Sequence, residues 1–214
     1  MGGRGMSRSV DLVDRQRDNL AQSRCVEFIV RSIDGSLSDA GFRKYLVIEE
    51  AFVLTAVQIL GLVVSESESL DDAFDHVVSL SNLVGEQRRY FADLRSEFPY
   101  DGDVGALVMR SSALTTYALG LAREHGRTAA LVGMFAAETL YLSWCREAMA
   151  VDVTREPALA HWIAMHTEPA FVGQVEALAV EVDAIPENIT DDTLDTWFSG
   201  MLSAEDSFHQ AAGG

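Results

Sequence analysis

Cysteine is scarce in this chain: Cys25 and Cys145 are its only two in 214 residues, and they form neither a CxxC pair nor a metal-finger spacing. That excludes a disulfide scaffold or zinc ribbon and reads as two reduced thiols of a cytoplasmic protein. Proline is equally rare, at four residues, so long helices can run with few interruptions. Basic residues are outnumbered, 16 Lys and Arg against 33 Asp and Glu, for a formal charge of −17. Such a surface repels phosphate backbones and anionic bilayers, so no nucleic-acid partner and no membrane partner are expected. No uninterrupted apolar run approaches the roughly 18 residues of a membrane span. The opening residues, Met1 to Ser9, are rich in Gly, Arg and Ser and lack the apolar centre of a signal peptide. There is no phosphate-cradling glycine loop, no fixed-period repeat, and no calcium loop after Asp101-Gly102-Asp103.

What is there is helical periodicity and an apolar content of 48%, enough to bury a sizeable core as one domain. A first helix is expected over about 10–33, ended by Asp34-Gly35. Ser36 or Ser38 then caps a long helix to about 65. Ser69-Leu70-Asp71-Asp72 is a capping-box variant that opens a helix over about 70–97. Phe98 to Asp103 is a turn around Pro99 and Gly102. Further helices are expected over about 104–124, 127–150, 155–166 and 168–184, with His125-Gly126 as a C-cap. Ile185-Pro186 breaks the series, and Thr190 caps a last helix over about 191–210, with Asp191 and Asp192 at its positive end. The expectation is an all-α, single-domain bundle of about seven to eight helices over 10–210, with flexible tails at 1–9 and 211–214.

Three glutamates break the apolar stripes of these helices. Glu49 falls among Phe42, Tyr45, Leu46, Phe52, Val53, Ala56 and Leu60, while Glu50 is turned roughly 100° away. Glu138 falls among Leu131, Met134, Phe135, Tyr141, Leu142 and Cys145. Glu205 falls among Leu194, Trp197, Phe198, Met201 and Phe208. Glutamate is almost never fully buried unless it is paired or put to use, so three on long helices point to a shared acidic pocket. The competing reading is that they pair with buried Arg or Tyr and only fix helix packing. Trp144, Trp162 and Trp197 fall at core positions and read as packing.

The stretch from Gly35-Ser36-Leu37 through Phe42 and Tyr45-Leu46 to Glu49 resembles a signature of the TenA family. His161-Trp162-Ile163 followed by Pro169-Ala170-Phe171-Val172, and the closing Phe198–Glu205–Phe208 helix, are similar to two further segments, so the resemblance spans about 25–210 in the family's order. It implies the haem-oxygenase-like all-helical fold, a homo-dimer or homo-tetramer, and a pocket for a substituted pyrimidine. It also implies hydrolysis of an exocyclic group in thiamin pyrimidine salvage. On that resemblance Glu49 holds the pyrimidine's amino and ring nitrogens, Phe52 stacks on the ring, and Glu205 and Glu138 are catalytic. Tyr45, Tyr117, Met134 and His166 complete the substrate-binding set. The family's nucleophilic cysteine falls on Val132, which cannot attack carbon, and neighbouring aromatic positions have become Met134 and Ala136. The chain is thus similar to the branch that lacks the cysteine.

The carboxyl chemistry stands without the family. Displacing an amine from a pyrimidine methylene needs a proton for the leaving nitrogen and a base for water. Carboxylates crowded in a partly apolar site push one another's pKa values apart, which provides both at neutral pH. No cofactor and no metal are called for. One alternative is a non-catalytic pyrimidine or small-molecule binder. Another is a haem-oxygenase-like non-haem di-iron oxidase, using Glu49, Glu138, Glu205 and His209, with Asp72 and His76 also at i,i+4 spacing. Haem oxygenation would need a proximal His on the first helix, and residues 10–33 contain none.

Overall fold

Helices occupy most of residues 7–213, the part described by the computed structural model, and no strand occurs among them. Met1–Met6 and Gly214 lie outside the described residues. Helix begins at Arg8 and continues to Gly213, so it takes in residues 8–9 and 211–213 of the segments expected as tails. The expected first helix is three: α1 (Arg8–Arg15), α2 (Arg17–Ser23) and α3 (Glu27–Asp34). Its breaks lie at Gln16 (φ −92°, ψ 7°) and at extended Val26 (φ −62°, ψ 134°), where no glycine or proline announces them. At the start of α1, Arg8 donates to the Ile185 carbonyl at 2.8 Å and also to those of Pro186 and Ile189, tying this helix to the segment before the last one. Gly35, at φ +78°, ends α3 in the left-handed region that favours glycine.

The punctuated elements match the sequence closely. Ser38 accepts from Gly41 N at 3.1 Å and opens α4 (Asp39–Ser65). Ser69 accepts from Asp72 N, and Asp72 accepts in return from Glu68 N, each at 3.1 Å, opening α5 (Leu70–Asn82). A π-helical turn (Leu83–Gln87) joins α5 to α6 (Arg88–Glu97). After the expected turn, α7 (Val104–Arg110) leads into α8 (Ser112–Ala150), which is broken at Gly126 (φ +72°, ψ −164°). Then come α9 (Pro157–Met165), α10 (Pro169–Asp183) and α11 (Asp191–Gly213). Thr190 accepts from Thr193 N at 3.2 Å at the start of the last helix.

One apolar core unites these helices, with α8 at its centre against α11, α4 and α10. Arg155 fastens two helix ends to it, donating to Ser32 O at 2.9 Å and Ala148 O at 2.8 Å in the last turns of α3 and α8. Although no apolar run is uninterrupted, stretches of α4 and α8 are long and apolar enough, by length and composition, to cross a membrane. In this fold α8 buries most of its apolar stretch at the centre of the bundle, whereas most of the apolar stretch of α4 is only partly buried or exposed.

Candidate active site

A cavity of about 550 Å³ opens between α4, α5, the π turn, α6, both halves of α8, α9, α10 and α11. All three glutamates line it. Each arrives there by helical register. Phe52 stands three residues after Glu49 on α4, Met134 and Tyr141 flank Glu138 on α8, and Met201 precedes Glu205 on α11. His166, the residue that caps the end of α9, and Phe171 of α10 close the same end.

Hydrogen bonds fix two of the carboxyls. Tyr141 donates to Glu49 Oε2 at 3.4 Å, and the Tyr45 hydroxyl lies 3.0 Å behind that of Tyr141. Gln174 Nε2 donates to Glu138 Oε1 at 3.1 Å. Glu205, only 2% exposed, keeps a buried Oε2 with no partner. No lysine or arginine is among the described residues lining the cavity, so the competing reading of buried Glu–Arg pairs has no support there. The glutamate–tyrosine pairing it also allowed is present, at Glu49 alone.

The electrostatics come from burial without a cation. Burial pushes Glu49 up to about 7, held back by the hydroxyls of Tyr45 and Tyr141. Burial, and then the charge of Glu49, push Glu138 up to about 8. Burial drives Glu205 well above the carboxylate range, with Glu49, Glu138 and Asp206 adding to the shift. Burial takes His166 and His209 down to about 4, so both imidazoles are neutral. Each donates Nδ1–H to the carbonyl four residues earlier, Trp162 O at 2.7 Å and Glu205 O at 2.9 Å. His209 Nδ1 stands 3.7 Å from Glu205 Oε2, but a protonated carboxyl beside a neutral imidazole is not an ion pair. Near neutrality Glu138 and Glu205 are therefore carboxylic acids, and Glu49 is poised to ionise.

Most of the expected site residues converge: Glu49, Phe52, Met134, Glu138, His166 and Glu205 all reach the cavity. Tyr45 is a layer behind it, stacked on Phe28 at 4.5 Å and acting on Glu49 through its hydroxyl. Tyr117 does not reach it and is corrected as a binding residue: its hydroxyl donates to Trp197 O at 3.2 Å, on another side of α11. Trp162, expected as packing alone, is part of the wall, its ring 4.5 Å from that of His166. Its i,i+4 spacing to His166 was the available signal. Glu86, Gln87 and Tyr90, from the π turn and α6, were not among the expected site residues, although their three- to four-residue spacing from Ser79 and Leu83 puts them on the same helix face.

No thiol takes part in the wall. Val132 and Cys145 are buried outside the cavity lining, and burial raises the Cys145 thiol well above its ordinary value, the opposite of an activated nucleophile. A metal reading fares no better, since among the described residues no three His, Cys, Asp or Glu side chains are disposed to hold an ion. Asp72 and His76 belong to a separate cluster. There Arg127 meets Asp72 and Glu181, each at 2.6 Å, and His76 Nε2 lies 2.8 Å from Glu181.

This arrangement of helices recurs in solved structures. The chain superposes on a TenA homologue from P. horikoshii OT3 with a TM-score of 0.84, covering 98% of this chain and 100% of that one at 14% identity. The fold is that of the TenA proteins. A TenA family transcription regulator from a Silicibacter species superposes with a TM-score of 0.82 over 96% of each chain at 13% identity. A proposed TenA-like thiaminase from Sulfolobus solfataricus P2 does so with 0.71 over 99% of this chain and 96% of that one at 20% identity. No protein-family profile matches the sequence, and neither does any curated protein. The TenA fold thus carries an all-carboxyl site here, with valine at the position where the sequence resemblance puts the family's cysteine.

Proposed function

We propose that this chain is a TenA-family hydrolase acting on an exocyclic C–N bond of an aminopyrimidine, with glutamates in place of a cysteine nucleophile. The observation that carries this reading is the convergence of Glu49, Glu138 and Glu205 on one cavity without a compensating cation. The fold shared with TenA homologues and with the proposed Sulfolobus thiaminase supports it.

Each role is set by its environment. Glu49, at about 7 against about 8 for Glu138, ionises first and accepts N–H bonds from the amino group and a protonated ring nitrogen. Phe52 and Trp162 offer ring faces to the heterocycle. Glu205, protonated and with an unpartnered Oε2, gives its proton to the leaving amine. Glu138, oriented by Gln174, takes a proton from water once the bound cation has favoured its ionised form. Water's oxygen bonds to the methylene carbon as the C–N bond breaks, yielding the hydroxymethylpyrimidine and ammonia. The test is turnover of 4-amino-5-aminomethyl-2-methylpyrimidine in ¹⁸O-water. One heavy oxygen in the product supports hydrolysis, and a product without it overturns the step.

The absence of a thiol from the cavity lining favours one second reading, a binder that keeps the pocket without turnover. Ligand that raises the melting temperature and is recovered unchanged would mark it. Self-association as a homo-dimer or homo-tetramer is part of the proposal. The outward face of α5 supports it with exposed Leu70, Phe74, Val77 and Val78.

A further inference from the structure

The cavity is larger than the ring that its acidic end would hold. A small aminomethylpyrimidine of ~10 non-hydrogen atoms occupies at most about 300 Å³, even at the roughly 30 Å³ that liquid water allots to each molecule. The cavity measures about 550 Å³.

The surplus lies at one end. α4 and the second half of α8 run antiparallel along the cavity. Tyr45 meets Tyr141 at one end, and at the other Glu66, just past α4, accepts from Arg127 N at 2.6 Å. From the tyrosine end, α4 presents Glu49 and Phe52, and then Ala56, Ile59 and Leu60. Over the same course α8 presents Tyr141 and Glu138, and then Met134, Gly133 and Ala130. On α11, Glu205 gives way to Met201, whose Cε lies only 2.6 Å from where a Cβ on Gly133 would stand. The polarity gradient is therefore the same on three helices: carboxyls and aromatics first, aliphatic and small side chains beyond. The distance from Glu49 to Leu60 is about 16 Å at helical rise, of which the aliphatic limb is the farther ~10 Å. A polar opening flanks this limb at Ser79 and Asn82, but α4, α8 and α11 give it no charged group. Water confined there would face mostly hydrocarbon, and an apolar occupant would release it.

We infer that the ligand is an amphipathic amine, with its nitrogen-rich head among the three glutamates and an apolar substituent of about six to ten carbons along Ala56, Ile59, Leu60, Ala130 and Met134. This rests on the hydrolase reading for the head and adds the identity of what the head carries. In the reaction the substituent belongs to the leaving group. Water's oxygen bonds to the pyrimidine methylene carbon, the C–N bond breaks, and an alkylamine departs with the proton from Glu205 in place of ammonia.

The test is a series of 4-amino-5-aminomethyl-2-methylpyrimidines carrying hydrogen, butyl or octyl on the exocyclic nitrogen, titrated calorimetrically into the wild-type chain. Kd is expected to fall by about fourfold per added methylene until the limb is full, with an increasingly negative heat-capacity change. Ala56→Leu, which fills the limb, is expected to flatten that dependence, and the wild-type series stands without it should the variant misfold. Equal Kd for hydrogen, butyl and octyl overturns the limb while leaving the head reading intact. Octylamine binding as tightly as the octyl pyrimidine supports the limb and defeats the head reading. Failure of every compound to bind overturns both.

Discussion

Glu205 differs from its two carboxyl neighbours in having an oxygen with no hydrogen-bond partner while being almost fully buried. An unpaired buried polar atom costs free energy of about 1–3 kcal/mol, and a chain tolerates it where a ligand completes the bond. Glu205→Gln keeps the shape and removes the transferable proton. The expected result is a fall of roughly 10²–10⁴-fold in kcat, read from ammonia release, with the folded state intact by circular dichroism. Stability should report the same carboxyls. A folded-state pKa above the ordinary 4.5 means that the contribution to stability is complete below pH 4.5. It is lost as pH rises to about 7 for Glu49 and about 8 for Glu138. The two depressed histidines act in the opposite sense: their contribution is present above 6.5 and is lost as pH falls toward 4. Glu138→Gln is therefore expected to melt higher than wild type at pH 8.5, with the gap closing toward pH 4.5. A constant gap across that range would contradict the assignment of the raised value to burial. These carboxyls were legible in the sequence because each sits on an apolar stripe, and period alone turns such a side chain inward. Tyr117, assigned on the resemblance and not on a stripe, goes elsewhere: its hydroxyl is satisfied by a backbone carbonyl, Trp197 O.

At the scale of elements, the helices that were legible are those with a chemical stop or start: Ser38, Ser69, Thr190 and Gly35 cap where their side chains or their lack of one predict. Gln16 and Val26 break the first helical stretch where no glycine or proline stands; of the two, Gln16 reaches another helix, donating from Nε2 to Asp195 O of α11 at 3.5 Å. The π turn at Leu83–Gln87 was likewise unannounced, yet Ser79, Leu83, Glu86 and Tyr90 keep the three- and four-residue spacing of one helix face and reach the cavity together. Gly126 joins the halves of α8 at φ +72°, ψ −164°, a region nearly closed to other residues, and an added Cβ would meet Glu66 Oε2 at 2.9 Å. Gly126→Ala is expected to cost about 1–3 kcal/mol in denaturant unfolding, with pocket chemistry unchanged in kind.

For the whole molecule, the all-α architecture was legible from composition and period, and the superpositions extend over 96% or more of this chain. Sequence identities of 13–20% explain why fold was more legible than chemistry. A bundle needs only apolar stripes of the right period, whereas the site needs particular atoms. Association is a property of this scale. The exposed stripe on α5 predicts an oligomer by light scattering, and Phe74→Glu, which places a charge in that stripe, is expected to shift the mass toward the monomer. The central claim is that carboxyls replace the thiol, and it is tested most directly by ammonia release from 4-amino-5-aminomethyl-2-methylpyrimidine. The comparison is between a cysteine-free chain, Cys25→Ser with Cys145→Ala, and Glu205→Gln. Turnover kept by the first and lost by the second is the expected result. Turnover lost with the cysteines, or kept without Glu205, would contradict it.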